Sequence, residues 1–266
     1  MKNKNSASLS DWIDVLQRSG VYSFTREKAQ KELGIQKNSL NIAFNRLHKQ
    51  GRILRLRNSF YVIVPLEYRS AGTVPPEWFV DDLMKFIGLP YYVGCLSAAA
   101  VYGASHQRPQ ELQVVVPSHV RMIDLDTVRI RFLRDAGMKQ ARTKLQRTQT
   151  GDYVISTAEW TAIDLIRFQK HFGGPDAVAG VFLELGESMD AERLAEACRF
   201  EQQNSLIQRL GWMLENLGFH RLAEPLHREI DKRDPSYVTL NPTLKKRFGL
   251  HNSTWRVIVN DKPEIG

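Results

Sequence analysis

The forty residues from Thr25 to Val64 spell two short helices divided by a glycine turn and then a β-hairpin, an order of elements that leaves few folds open. Thr25 has the hydroxyl to cap a helix running through Leu33, and Gly34-Ile35 supplies a tight turn with an apolar plug. Leu40, Ala43, Phe44 and Leu47 then recur at helical spacing between about residues 37 and 50, which marks one buried face, and Gly51 stops the helix. The opposite face carries Gln36, Lys37, Asn38, Ser39, Asn41, Ile42, Asn45 and Arg46, side chains whose donors, acceptors and methyl groups suit base edges and phosphates. Past Gly51, Arg52-Ile53-Leu54-Arg55-Leu56-Arg57 alternates at period two, turns at Asn58-Ser59 and returns as Phe60-Tyr61-Val62-Ile63-Val64 before Pro65 ends the strand. An earlier helix over about residues 9–17 aligns Leu9, Trp12, Ile13 and Leu16 on one side. Residues 1–66 are therefore expected to form a winged helix-turn-helix domain.

Such a module implies duplex DNA as the partner. Gln36, Lys37, Asn38, Ser39, Asn41 and Asn45 are the candidate base readers in the major groove, and Arg46, Lys49, Arg52, Arg55 and Arg57 the candidate phosphate holders. The charge distribution agrees. Residues 1–66 hold twelve Lys and Arg against four Asp and Glu, which equals the whole chain's net charge of +8, while the other 200 residues carry 25 of each sign. The isoelectric point near 9.5 is thus the property of one module. An anionic membrane would attract the same charge, but the sequence has neither a long apolar run nor a basic amphipathic helix with aromatic anchors. One module covers half a palindrome, so two copies are expected on DNA from a protein that is monomeric when free.

Residues 67–76, with Gly72, Pro75 and Pro76, look like a linker, and residues 77–266 like a larger mixed α/β domain with a helical C-terminal part, which makes the fold class α+β. Pro76 opens a helix ending near Gly88, and small residues mark a closely packed helix over 96–102. Strands are expected at 112–116, 128–132 and 153–155. Ser156-Thr157-Ala158-Glu159 reads as a capping box, amphipathic helices fill 177–230, and strand character returns at 237–240 and 255–259, with Trp255 in the core. Residues 121–147 contain eight basic and three acidic residues. Arg129, Arg131, Arg134, Lys139, Arg142, Lys144 and Arg147 there form either a solvated strand face or a secondary basic patch that steadies DNA or meets an RNA or acidic protein.

Catalytic sets are missing: there is no Gly-rich phosphate loop, no His-Glu-x-x-His and no Gly-x-Ser-x-Gly. The helix at 97–102 followed by the strand at 112–116 weakly resembles the entry of a nucleotidyltransferase fold, but that chemistry needs paired carboxylates and the strand offers Glu111 and Gln113. No enzyme activity, metal or cofactor is expected. Cys95 and Cys198 lack metal or redox spacing and are expected to be buried, reduced thiols. The first eight residues are polar and lysine-bearing without a signal peptide's apolar core, so the expected compartment is the cytoplasm. His106, with Gln107 and Arg108, is either a contact residue or a turn stabiliser, and Asp164 is expected to pair with Arg167 or Lys170 without further function.

Several stretches in order give a family signature: Gly51-Arg52-Ile53 through Arg57-Asn58-Ser59-Phe60-Tyr61-Val62; Pro75-Pro76-Glu77-Trp78; Tyr91-Tyr92-Val93-Gly94-Cys95-Leu96-Ser97-Ala98-Ala99-Ala100; Gly103-Ala104-Ser105-His106-Gln107; Pro109-Gln110-Glu111-Leu112-Gln113-Val114-Val115; Ser156-Thr157-Ala158-Glu159-Trp160-Thr161-Ala162-Ile163-Asp164-Leu165; and Trp255-Arg256-Val257-Ile258-Val259-Asn260. Over nearly its whole length the chain thereby resembles the AbiEi antitoxin family. The resemblance implies a winged helix-turn-helix joined to a C-terminal antitoxin domain, and a repressor of its own operon that binds inverted repeats upstream. It further implies a neighbouring nucleotidyltransferase toxin of the AbiEii class, abortive phage infection, and type IV behaviour in which the toxin is offset without a stable complex. The wing turn departs from the usual pattern, with Asn58-Ser59 in place of Asn-Gly. Two other readings stay open: an antitoxin acting mainly by direct toxin binding through residues 77–266, and a metal-dependent nucleotidyltransferase or kinase-like regulator built on the second domain.

Overall fold

The computed structural model describes residues 8–104, 109–245 and 248–263, and divides them into two compact units. Unit one takes the chain up to Tyr91, with Val120–Phe132 and Leu145–Val154; unit two takes Tyr92–His119, Leu133–Lys144 and everything from Ile155 onward. The elements run in chain order as α1 (Leu9–Arg18), β1 (Ser23–Thr25), α2 (Arg26–Leu33), α3 (Lys37–Lys49), β2 (Ile53–Arg57), β3 (Phe60–Ile63), α4 (Val80–Ile87), β4 (Tyr92–Val93), α5 (Cys95–Val101) and β5 (Leu112–Val116). They continue with β6 (Ile123–Leu125), β7 (Val128–Arg134), β8 (Thr143–Arg147), β9 (Asp152–Ser156), α6 (Ala158–Arg167), α7 (Pro175–Leu185), α8 (Ala191–Phe200), α9 (Asn204–Asn216), α10 (His220–Asp231), β10 (Val238–Thr239), β11 (Leu250–Asn252) and β12 (Val257–Val259). Among the described residues the class is mixed α+β, with ten α-helices and three sheets.

In unit one, the Ser8 hydroxyl and the Asp11 carboxylate cap the start of α1 reciprocally, and Leu9, Trp12, Ile13 and Leu16 are buried from it. Thr25 accepts from the Lys28 amide at 3.1 Å to start α2, and Gly34 ends it at φ +64°, a left-handed conformation that glycine adopts without strain. Leu40, Phe44 and Leu47 turn inward from α3. The three residues of β1 have no visible period, yet they pair antiparallel with β3, and β3 pairs with β2, in the order β1-β3-β2. Phe24 of β1, Phe44 of α3 and Tyr61 of β3 stack with ring centroids 4.4–6.1 Å apart. Each such pair contributes about 0.5–1.5 kcal/mol beyond its buried area.

Residues 67–91, read above as linker and the start of the second domain, fall within unit one. Short 3-10 turns occupy Leu66–Tyr68 and Pro76–Trp78, and α4 begins only at Val80. Trp78 packs edgewise on Tyr22 and Tyr68 with centroids 5.1 and 5.5 Å away, and the Ser23 hydroxyl donates to Asp82 at 2.6 Å. Aromatic packing thus holds a stretch that composition alone marks as a connector.

In unit two, β4 runs antiparallel to β5 and parallel to β9, in register Val93↔Val114 and Val93↔Ile155. Every residue of β5 is buried, Gln113 included, as in a strand covered on both faces. Ala158 through Ile166 of α6 are buried too. The expected capping box does not form, and the cap falls one residue later as a single hydroxyl. Thr157 is the N-cap, accepting from the Trp160 amide at 3.3 Å, while the Ser156 hydroxyl is shared with Thr161 and Glu159 accepts from the Asp190 amide. Residues 143–147, within the basic stretch 121–147, form β8. Cys95 and Cys198 are buried and unpaired, and burial raises both thiol pKa values, that of Cys198 to about 12. The last strands form a sheet ordered β10-β12-β11, and Trp255 lies over Gly211 of α9, where an added Cβ would come within 2.0 Å of its ring.

The hairpin tip between β2 and β3 places Ser59 at φ +68°, a left-handed conformation costing a side-chain-bearing residue about 1 kcal/mol. Ser59→Gly is expected to raise the stability of the chain by about that amount, read as a shift of the urea unfolding midpoint at unchanged slope.

Candidate nucleic-acid interface

The outward face of α3 is set by the depth to which Leu40, Phe44 and Leu47 are sunk on its other side. Gln36, Lys37, Asn38, Ser39, Asn45, Arg46 and Lys49 are exposed along it, with Ile42 71% exposed among them, and Asn41 is half-buried. Arg55 is exposed on β2. Lys37, Asn41, Asn45 and Arg55 line one cleft of about 720 Å³ together with Arg26 and Gln30 of α2.

Arg26, which no periodicity singles out, sits at the centre of that cleft. One guanidinium nitrogen donates to the Asn41 side-chain oxygen, the other donates to the Tyr61 hydroxyl at 2.9 Å, and the group lies 5.3 Å from the centroid of the Phe44 ring. The opening of α2 at Thr25 puts Arg26 in the first helical position, one residue beyond a strand that pairs with β3.

The five candidate phosphate holders separate into two groups. Arg46, Lys49 and Arg55 are exposed. Arg52 is ion-paired with Asp14 and donates to the Ser10 hydroxyl at 2.6 Å, tying β2 to α1. Arg57 donates to the Arg121 carbonyl at 2.6 Å and lies 5.7 Å from the Phe132 centroid; burial, with the Arg121 charge beside it, lowers its pKa. Alternation along a strand cannot distinguish an arginine facing solvent from one held by its own protein.

The secondary basic residues are likewise divided. In unit one Arg129 pairs with Asp124 at 2.9 Å, Arg131 is half-buried and Arg147 is exposed. In unit two Arg134 and Lys139 are exposed, Arg142 lies 3.8 Å from the Phe200 centroid and pairs with Glu196 at 3.2 Å, and the Lys144 ammonium is 4.7 Å from the Tyr102 centroid.

Unit two also buries a charged cluster. Arg167 of α6 ion-pairs with Glu201 and stands 3.5 Å from Asp135 and 3.6 Å from Asp164. Asp164, wholly buried, accepts from the Tyr92 hydroxyl at 3.1 Å, and that oxygen in turn accepts from the Trp160 indole at 3.2 Å. Burial raises the Asp164 pKa to about 7; Arg167 and the Tyr92 bond oppose the rise, and the charges of Asp135 and Glu201 add to it. The expected Asp164–Arg167 pair is present. Gln113 is a brace between β5 and α5: its side-chain oxygen accepts from the Leu96 amide at 2.8 Å, and its backbone N–H donates to the Ser97 hydroxyl at 2.9 Å. Among the described residues no group of three or more His, Cys, Asp or Glu is arranged to hold a metal ion. Residues 105–108, including His106, Gln107 and Arg108, lie outside the described residues.

Residues 92–216 match the family model described as the AbiEi antitoxin C-terminal domain, from the first residue of β4 to the last of α9. No curated protein matches the chain. Among solved structures, the chain is similar in fold to the RV2827C protein from Mycobacterium tuberculosis, at 15% identity and a TM-score of 0.67, over 93% of this chain and 89% of that one.

Asp164 gives stability a definite pH dependence. Unfolded, its carboxyl ionises near 3.8; folded, it keeps its proton until about pH 7. Between those values the folded state binds the extra proton, so this contribution is fully present below about pH 4 and is lost as pH rises through about 7. Asp164→Asn is expected to flatten the fall in urea midpoint between about pH 4 and pH 8; equal slopes in variant and parent would contradict the assignment.

Proposed function

We propose that the chain is an antitoxin, on the strength of the match of residues 92–216 to the AbiEi antitoxin C-terminal domain, and that the segment up to residue 66 is a winged helix-turn-helix through which it binds inverted repeats in its own promoter and represses it. The observation that carries this reading is the row of exposed polar and basic side chains on α3, Lys37, Asn38, Asn45, Arg46 and Lys49, standing beside Arg55 on the hairpin. A helix of 13 residues is about 20 Å long and fits a major groove about 12 Å wide. In this arrangement α3 enters the groove, Gln36, Lys37, Asn38, Ser39, Asn41 and Asn45 face base edges, and Arg46, Lys49 and Arg55 meet phosphates. Arg52 and Arg57 serve instead to hold the hairpin in place, through Asp14 and the Arg121 carbonyl.

Two copies, each on one half of the palindrome, occlude the promoter from polymerase. The toxin offset by this antitoxin is, in the same reading, a nucleotidyltransferase encoded beside it, and the protein acts by binding and not by catalysis. Gln113 supports that view, since its amide is spent on bracing α5 where a metal-holding carboxylate would be needed. Among the described residues no helix is long and apolar enough to cross a membrane.

Asn45→Ala is expected to weaken binding to the chain's own promoter by about 1–3 kcal/mol and to leave random duplex nearly unaffected. Arg55→Ala should weaken both alike and reduce the slope of log affinity against log salt by about one. Fluorescence anisotropy with the full chain at several salt concentrations measures both effects. A parent protein that binds its upstream repeats no better than random duplex would sink the reading.

A further inference from the structure

We infer that Arg26 fixes the chemistry by which Asn41 reads DNA, making it a donor-only reader that selects guanine over adenine. This rests on the DNA-binding role proposed for α3 and adds a rule of specificity to it. A guanidinium has five N–H donors and no acceptor, so the Asn41 atom facing Arg26 is its carbonyl oxygen. Arg26 is itself immobilised: it donates to the Tyr61 hydroxyl at 2.9 Å and lies over Phe44, and Phe44 and Tyr61 are buried and stacked at 4.4 Å. The amide of Asn41 is therefore held in one of its two flips, with its oxygen turned to a cation and its NH2 group turned away from it.

An unconstrained asparagine recognises adenine with both ends of the amide, accepting from N6 and donating to N7. At Asn41 one lone pair of the accepting oxygen is engaged by Arg26, and an adenine amino group approaching the other would meet a positive charge beside it. The two N–H donors that remain match guanine, which presents acceptors at both N7 and O6. Arg26 acts here as a positioning residue, reaching the base through Asn41. A sequence motif carrying asparagine at this place on a recognition helix points to adenine; the clamp reverses that expectation.

Selection of bound duplexes from a randomised pool by the full chain, followed by sequencing, tests the inference. The parent should select an inverted-repeat motif with guanine at the pair under Asn41. Arg26→Met keeps an apolar stem against Phe44 and removes the donors, and it should move that one position toward adenine by about tenfold in the guanine-to-adenine ratio, leaving the others in place. Asn41→Asp keeps a partner for Arg26 and replaces the outward N–H donors with an acceptor. It should turn the same position to a base offering an amino group, cytosine or adenine, and it decides the matter alone if Arg26→Met does not fold. Unchanged motifs in the variants that fold, or a uniform loss across all sequences for Arg26→Met, would overturn the inference while the DNA-binding reading stands. Failure of the parent to select any motif would overturn the reading beneath it.

Discussion

The stacking of Phe44 on Tyr61 governs unit one, because it is where α3 and the hairpin become a single body. The two rings come from elements of different geometry, a helix and a strand, and their near-parallel contact at 4.4 Å fixes the distance and the angle between them. Phe24 extends the stack to β1, and Trp12 meets Phe24 edge-on, so the aromatic column joins α1, α3 and two of the three strands. A polar surface built on such a column has little freedom to rearrange, and side chains presented by α3 and β2 keep their spacing before any partner arrives.

Much of this arrangement is written in local sequence. Thr25, Gly34 and Gly51 mark element ends by chemistry that operates within a few residues, and Leu40, Phe44 and Leu47 declare a buried face by spacing alone. The apolar run of β5 and the length of the helices from α7 to α10 are legible for the same reason. What local rules miss is decided at a distance. Three residues are too few to show a period, so β1 exists because β3 lies ready to pair with it. Arg52 finds Asp14 across 38 positions and Arg57 finds Arg121 across 64, partners that alternation on a strand cannot announce. Arg26 is invisible as a member of the cleft until folding brings α3 and β3 beside it. The Trp78 contacts, likewise, turn an apparent linker into part of unit one.

Unit two depends on polar groups of another kind. Arg167 gathers Asp164 from its own helix and Asp135 and Glu201 from elsewhere in the sequence, and the aspartate at the centre is held by a relay from Trp160 through Tyr92. Removing one partner from such a cluster leaves charge in an apolar interior, whereas the intact set fixes where α6 lies against β4. Gln113 works in a similar way between β5 and α5. Polar residues in the stretch that matches the antitoxin domain thus carry architectural duty.

The seat of Trp255 on Gly211 has a bearing on where that domain physically ends. The family match stops at Asn216, but α9 has its side-chain-free notch at Gly211, and the indole that fills it arrives from beyond α10, anchored by its N–H on Glu215. Gln208 reinforces the closure by donating to the carbonyls of Ser236 and Trp255. A chain cut after α10 would leave α9 with an unfilled trough and two orphaned polar groups, so the cooperative folding unit reaches past the matched segment to the final strand.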